Sequence, residues 1–299
     1  MSTEAIGGAA RTAAATRRAA ARRPRRPGHL ILKIVVNLVF LGAAVVAIGP
    51  LLWMIATSLK PENQALNNKF FVGYPLTWSN YSNALTFFPF VRYFLNDLFV
   101  SLAGTAMVII TSAMAGFAFA RIRFRGRSRL FWLYVASLLI PGEVLIVPLF
   151  LLVKGLGLYN SYGALILPFG FSAYGVFLMR QFFRTLPQEL VEAGRLDGAS
   201  FLRIFGQIML PLVKPAAAVL GVFTFIQYWN SFLWVLVATQ GNQVATIPLG
   251  LSLFQTEYGT YWSYLMAAAT LTALPALVAI VFVQRYVARG VVFGGIGGR

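Results

Sequence analysis

The residue types of this chain exclude several kinds of chemistry. Its 299 residues include no Cys and a single His, His29. Thiol nucleophiles, His-based catalytic triads and Cys/His metal sites therefore lack the side chains they need. None of the five lysines follows a glycine, which excludes a phosphate-binding loop built on Gly-Lys and Ser or Thr. We therefore expect no catalytic residue, metal site or cofactor site of these kinds on this chain.

Four residues within apolar segments could instead contact a polar solute: Glu143, Tyr228, Trp229 and Asn230. A carboxylate in hydrocarbon costs about 2.5 to 3.5 kcal/mol, so Glu143 should face a cavity or a partner, or cap a helix broken at Pro141. The aromatic residues could stack on a solute and Asn230 could hydrogen-bond it, although aromatic side chains serve more often in packing. These four residues are the predicted substrate path.

A second group of polar residues lies between Leu186 and Pro211. Pro187 suits the first position of a helix, Gly198 would end that helix and Ser200 could cap the next one. The apolar positions of the two helices are Leu190, Val191, Ala193 and Leu196, then Phe201, Leu202, Ile204 and Phe205. The pattern predicts a helix, a bend and a helix at a membrane surface over about 187–206. An amphipathic loop helix without a specific function would show the same pattern.

The elements that must position these residues are apolar. The chain is 59% hydrophobic and 11% charged, with a mean hydropathy of +0.74, whereas soluble domains carry about 25% charged residues. Stretches long enough to cross a bilayer are 31–56, 95–120, 130–153, 161–182, 208–238 and 264–284. Prolines interrupt several of them, which spanning helices tolerate. We predict an all-α polytopic membrane protein with six transmembrane helices.

The positive charges are distributed unevenly along the chain, whose net charge is +17. If the amino terminus is cytoplasmic, 21 of the 25 basic residues lie on the cytoplasmic side. This asymmetry predicts an even number of spans with both termini inside. Residues 1–29 are predicted to be a disordered basic tail that can touch anionic membrane lipid, and 291–299 a carboxyl-terminal tail. The basic residues flank apolar runs, and this argues against nucleic-acid binding.

The spacing within the segment 187–211 resembles a known motif. Glu192-Ala193-Gly194, three residues, Gly198, nine residues and Ile208-x-Leu210-Pro211 resemble the EAA motif of the permeases of ATP-binding-cassette (ABC) importers. The resemblance implies a cytoplasmic coupling helix that docks on a separate ATPase subunit. The docking surface would include Glu192, Ala193, Asp197 and Gly198. Gly194 stands where that family usually has a second alanine, a change expected to loosen the helix slightly.

The resemblance extends over residues 30–290 and is closest to the carbohydrate-uptake subfamily, which is similar to the smaller permease subunit of the maltose transporter. It is carried by Thr77–Tyr81, Arg121–Phe124, Ile140–Glu143 and Tyr228–Asn230. Asp97, Arg125 and the end of the chain after Gly290 depart from the subfamily pattern. The altered ending leaves open whether it still contacts the ATPase.

This resemblance implies a permease subunit, not an enzyme, that moves a sugar, a di- or oligosaccharide, across the bacterial inner membrane by alternating access. The expected partners are a second permease subunit, two ATPase subunits that bind ATP and magnesium, and an extracytoplasmic sugar-binding protein. A similar permease for glycerol phosphate or an amino sugar, an ion-coupled secondary transporter and a membrane-embedded scaffold remain alternatives.

Overall fold

The computed structural model of the protein describes residues 27–67 and 75–294. The predicted basic tail therefore lies outside the described residues up to residue 26, and so do residues 295–299 of the predicted carboxyl-terminal tail. The chain divides into two compact units, Met1–Trp53 and Met54–Arg299. The described part of the first unit is helical from Pro27. The contacts reported below all lie within the second unit.

The regular structure of the described residues is almost entirely helical, which confirms the predicted all-α class. The α-helices are α1 Pro27–Ser58, α2 Ser79–Phe87, α3 Phe90–Arg121, α4 Arg127–Ala136, α5 Ile146–Gly155, α6 Tyr162–Ile166, α7 Ala173–Thr185, α8 Glu189–Leu196, α9 Phe201–Arg203, α10 Leu210–Leu212, α11 Lys214–Trp229, α12 Leu233–Ala238, α13 Ile247–Ser252 and α14 Trp262–Gly294. A π-helical segment, Ile204–Met209, joins α9 to α10. The two short strands β1 Gln255–Thr256 and β2 Gly259–Thr260 form an antiparallel hairpin.

Three helical segments of the described chain are long and apolar enough to cross a membrane as they stand: Leu32–Ser58, Phe90–Arg121 and Trp262–Phe282. Three further candidates are bent pairs, Arg127–Leu139 with Gly142–Gly155, Tyr162–Phe169 with Ala173–Thr185, and Phe201–Leu212 with Lys214–Trp229. Their bends are 94°, 47° and 79°. By length and composition the described residues thus provide up to six spans.

The bends correct the predicted spans 130–153, 161–182 and 208–238, none of which is a continuous helix. The first breaks at Pro141, between two short 3-10 helices, Ser137–Leu139 and Gly142–Leu145. The third breaks at Val213, and its main helix then ends at Trp229 instead of running to 238. The physical reason is that proline removes a backbone donor and collides with the preceding turn.

Side chains of neighbouring helices satisfy the carbonyls that the break near Pro168 releases. Because proline has no N–H, the carbonyl of Ala164, four residues earlier, loses its helical partner. The indole Nε1 of Trp234 donates to that carbonyl at 3.0 Å. The hydroxyl of Tyr228 donates to the carbonyl of Ile166 at 3.0 Å. The break is therefore held by α11 and α12, as unpaired backbone groups inside a membrane require.

The main core forms where α3 packs against α7 and α11. Small residues permit this close approach. A Cβ built on Gly116 of α3 would lie 2.7 Å from the Cβ of Met179 and 2.9 Å from the backbone N of Arg180 on α7. Gly104 of α3 likewise faces the ring of Tyr228 on α11. Close backbone contact at small residues is the usual way in which helices associate in lipid.

A second cluster of buried residues joins the start of α3 to α13 and α14. It includes Phe88, Phe90, Tyr93 and Phe254. Nearby, the carboxylate of Glu62 accepts hydrogen bonds from the backbone N–H groups of Trp262 at 2.7 Å and Ser263 at 2.9 Å. These are orphan donors of the first turn of α14, so Glu62 caps that helix from a distant part of the chain.

Candidate functional site

The segment 187–206, which we call the coupling segment, has the predicted helix, bend and helix. Its first helix, α8, begins at Glu189, two residues later than Pro187 suggested. Gly198 has a φ of +76°, a left-handed conformation that glycine adopts without strain. Around it the N–H of Ala199 donates to the carbonyl of Gly194 at 2.9 Å. Ser200 then caps α9, because its Oγ accepts the N–H of Arg203 at 3.3 Å.

The inner face of the coupling segment depends on a glycine whose role the sequence did not reveal. Val191 is buried, and Gly194 lies so close to the π-helical segment that a Cβ would be 3.0 Å from Cγ1 of Ile204. It would also meet Cδ1 of Ile208 at 3.4 Å. The expectation that Gly194 merely loosens the helix was incomplete. This glycine also lets α8 pack against the start of the next span.

The outer face of the coupling segment is exposed and partly apolar. All four predicted docking residues, Glu192, Ala193, Asp197 and Gly198, are exposed. Leu196 is 89% exposed and Leu202 is 74% exposed. Ala193 and Leu196, two of the apolar positions of this helix, lie on the exposed face, because α8 turns Val191 and Gly194 inward. Sequence reasoning missed the two leucines as surface residues. Their position on either side of the Gly198 bend was the available signal.

Arg121 ties the coupling segment to the ends of α3 and α7. Its guanidinium donates to the carbonyls of Phe183 and Leu186 and, at 2.6 Å, to Oε1 of Gln188. Arg121 also borders a groove of about 680 Å³, whose lining residues are Arg121, Ile122, Arg123, Gln188, Val191, Glu192, Arg195, Leu196 and Phe201. Arg121 thus connects the segment directly to α3 and to the end of α7.

A polar cleft lies among α3, the break before α7 and the end of α11. Its volume is about 200 Å³, and its lining residues are Val108, Pro168, Phe169, Phe171, Ser172, Thr224, Gln227, Tyr228 and Ser231. The polar residues of this lining are uncharged: Ser172, Thr224, Gln227, Tyr228 and Ser231. Such a surface can exchange hydrogen bonds with neutral hydroxyl groups.

Of the four residues predicted for the substrate path, Tyr228 lines this cleft and the other three lie elsewhere. Trp229 is buried and donates from Nε1 to the carbonyl of Thr272 on α14 at 3.1 Å. Asn230 is exposed, and its Nδ2 donates to the carbonyl of Ile226 in its own helix at 2.9 Å. Glu143 is exposed in the 3-10 helix Gly142–Leu145. The hypothesis of a common cavity for Glu143 and Asn230 is not supported by this cleft.

Three of the cleft residues that sequence reasoning missed, Thr224, Gln227 and Ser231, lie on or just after α11. Together with Tyr228 they follow the spacing i, i+3, i+4, i+7, which is the spacing of one helical face. That spacing was the signal available in the sequence.

Asp97, which departs from the subfamily pattern, is fully buried in α3. Its carboxylate lies near the backbone N–H of Ile247, but among the described residues neither oxygen has a partner with hydrogen-bond geometry. Within the described residues, no group of three or more acidic or histidine side chains is arranged to hold a metal ion.

Comparison with known proteins gives one family match. The sequence profile described as "Binding-protein-dependent transport system inner membrane component" matches residues 107–293. This range includes the coupling segment and every residue of the polar cleft.

Two relatives are similar over most of the chain. An arabinooligosaccharides transport system permease protein of Halalkalibacterium halodurans is 34% identical over 278 residues, which cover 92% of this chain and all of the relative. An sn-glycerol-3-phosphate transport system permease protein of Yersinia pestis is 40% identical over 206 residues, which cover 68% of this chain and 73% of the relative.

Among solved structures, a chain of a bacterial ABC transporter that imports the acidic polysaccharide alginate has a TM-score of 0.76. It is 22% identical, and the match covers 88% of this chain and 99% of that chain. At this identity the likeness concerns the fold.

Proposed function

We propose, from the premise that the chain belongs to the family of binding-protein-dependent transport system inner membrane components, that it is the permease subunit of an ABC importer for a neutral sugar. It is a transport permease and not an enzyme. The observation that carries the choice of solute is the polar cleft, whose hydrogen-bonding residues are all uncharged. A sugar presents many hydroxyl groups and no charge, so its chemistry matches this lining.

The proposed subunit crosses the inner membrane six times, with both termini in the cytoplasm. Each bent pair then counts as one span, and the coupling segment lies on the cytoplasmic side. The distribution of basic residues supports this orientation. It also agrees with the position of Arg121, which joins the ends of α3 and α7 next to that segment.

This topology is testable because the chain has no native cysteine. Single cysteines in place of Ser82 and Tyr258 should react with a membrane-impermeant thiol reagent added to intact cells or spheroplasts. Cysteines in place of Ser128 and Thr185 should react only after the membrane is opened. All four residues are exposed, so burial within the chain does not prevent their reaction with the reagent. Labelling of the Ser128 variant in intact cells would contradict the topology.

The proposed transport step couples the cytoplasmic segment to the polar cleft. The coupling segment docks on one of two ATPase subunits, which bind ATP and magnesium, while a second permease subunit completes the pathway. A binding protein delivers the sugar from outside. When the ATPase pair closes, the segment moves as a lever. Arg121 and the connection from α9 through the bend at Val213 to α11 carry that motion to the helices around the cleft. The cleft then becomes accessible from the other side.

The relative that transports glycerol phosphate supports a second candidate solute. A phosphate monoester carries up to two negative charges and is usually bound by Arg or Lys side chains. The polar cleft contributes neither. Uptake assays with a neutral oligosaccharide and with glycerol phosphate, each supplied with a binding protein that carries it, would separate the two solutes.

Gln227→Leu is expected to lower sugar uptake about 5-fold or more, since a site that pairs with hydroxyls loses about 1 to 3 kcal/mol when one polar partner is removed. Uptake of radiolabelled sugar at matched membrane abundance measures the effect. Basal ATPase activity should stay near the parent value, because the substitution lies far from the coupling segment in sequence and in the fold.

The matched control is Asn230→Leu, the same kind of polar-to-apolar change three residues later. Because Asn230 bonds to its own helix and does not line the cleft, we expect this variant to keep uptake within about threefold of the parent, the effect of less than 1 kcal/mol. Loss of uptake in the Asn230 variant but not in the Gln227 variant would contradict the proposal that the cleft contacts the sugar. It would favour the substrate path predicted from the sequence.

A further inference from the structure

Three arginines at one end of α3, α4 and α7 form a cluster that coupling and solute transport do not explain. They are Arg127, Arg180 and Arg184. Arg180 and Arg127 donate to carbonyls at the end of α3, and Arg184 follows Arg180 by one turn of α7, so the three cations lie together and repel one another. The repulsion is stronger at a partly buried site than in water. A cluster of this kind is stabilised by a bound anion.

The cluster is held in place by the protein. The guanidinium of Arg180 stacks on the ring of Phe131, with its Cζ 3.9 Å from the ring centroid. Its Nε donates to the carbonyl of Phe119 at 3.3 Å. Arg127 donates from Nη1 to the carbonyl of Ile122 at 3.1 Å. Each of these bonds uses one donor of a guanidinium that has five, so further donors are available to a ligand.

The surroundings of the cluster indicate what the anion is. Beside Arg127 lies a concave surface of about 410 Å³, lined by Phe124, Gly126, Arg127, Ser128 and Arg129. The next turn of α4 exposes Trp132 by 59% and Leu133 by 72%. In a membrane protein such side chains face lipid, and an exposed Trp beside basic residues marks the level of the headgroups. The cluster therefore lies where lipid phosphates are found.

We propose that Arg127, Arg180 and Arg184 form a binding site for the phosphate of an anionic phospholipid headgroup. Guanidinium groups bind phosphate oxygens through paired, charge-assisted hydrogen bonds. Trp132 and Leu133 contact the upper acyl chains of the same lipid. This proposal rests on the chain's membership of a membrane permease family and does not depend on which solute is transported.

The test is native mass spectrometry of the full chain, purified in mild detergent with the subunits that accompany it, after incubation with phosphatidylglycerol or phosphatidylcholine. The Arg127→Gln/Arg184→Gln variant keeps the anchored Arg180 and should retain phosphatidylglycerol at least about tenfold less than the parent, as expected for the loss of charge-assisted bonds. Phosphatidylcholine retention should not change.

The matched control is Arg123→Gln/Arg125→Gln, which removes two positive charges from the loop before α4, outside the cluster. It should retain phosphatidylglycerol within about twofold of the parent, because diffuse attraction is divided among all basic residues near the surface. If both variants lost phosphatidylglycerol equally, the lipid would be held only by diffuse attraction to basic residues, and the proposal would be overturned. Displacement of the lipid by inorganic phosphate at equal concentration would also overturn it. If the Arg127→Gln/Arg184→Gln variant retained phosphatidylglycerol like the parent but co-purified with less ATPase subunit, the cluster would be a protein contact and the proposal would be overturned.

Discussion

Leu196→Asp is expected to abolish ATP-driven transport while the chain still folds and inserts. Leu196 is 89% exposed on the outer face of the coupling segment, so the substitution disturbs no internal contact. In the docked state the leucine would be buried, which stabilises the interface by about 1.5 to 3 kcal/mol. An unpaired carboxylate in its place adds a desolvation cost. Since 1.4 kcal/mol corresponds to a tenfold change, affinity for the ATPase should fall about 100-fold or more.

The measurements are co-purification of the ATPase subunit and ATPase stimulation by the loaded binding protein. Leu196→Met is the matched control, because it keeps an apolar side chain of similar volume and should retain most coupling. Leu202→Asp, on the other side of the Gly198 bend, should behave like Leu196→Asp. Normal stimulation and uptake in Leu196→Asp would contradict the proposed docking face.

Gly116→Ala is expected to lower the stability of the folded protein, because the added methyl group has no room between α3 and α7. The new Cβ would lie 2.7 Å from the Cβ of Met179 and 2.9 Å from the backbone N of Arg180. Neither is the free end of a flexible side chain, so α3 and α7 must separate. Overpacking of this kind costs about 1 to 3 kcal/mol. For a domain of this size that corresponds to a fall in Tm of about 3 to 10 °C.

Thermal unfolding of the detergent-solubilised protein measures this effect. Gly155→Ala is the control, because no atom lies within 4 Å of its Cβ position and its backbone is not left-handed. That variant should unfold within about 2 °C of the parent, since a methyl group in open space changes stability by less than about 1 kcal/mol. Equal unfolding temperatures for the two variants would mean that α3 and α7 are not so closely packed.

The local sequence pattern of the coupling segment predicted some of its structural features and not others. Gly198 and Ser200 predicted the bend and the second cap, since a left-handed residue and an N-cap depend on neighbours a few positions away. The apolar pattern did not show that Leu196 lies on the exposed face. Which face of α8 is buried depends on Ile204 and Ile208 beyond the bend, and helical periodicity alone cannot place them.

For the residues of the predicted substrate path, too, the sequence indicated the kind of side chain and only the fold showed its partner. An aromatic donor can pair with a solute or with a backbone carbonyl, and residue type does not distinguish the two. Tyr228 and Trp229 bond to carbonyls of Ile166 and Thr272, 62 and 43 residues away. The sequence predicted polar contacts in α11, but their partners were visible only in the folded chain.

Composition and local spacing determined the all-α class, the apolar segments and the bend of the coupling segment, because each depends on side-chain polarity and on contacts within one or two turns. Tertiary structure decided how sharply the proline breaks bend and which side chains line the polar cleft. The carbonyl of Ala164 illustrates the reason. Pro168 releases it in the sequence, but Trp234, 70 residues away, satisfies it. A partner so distant is set by how helices pack, and packing depends on the whole chain.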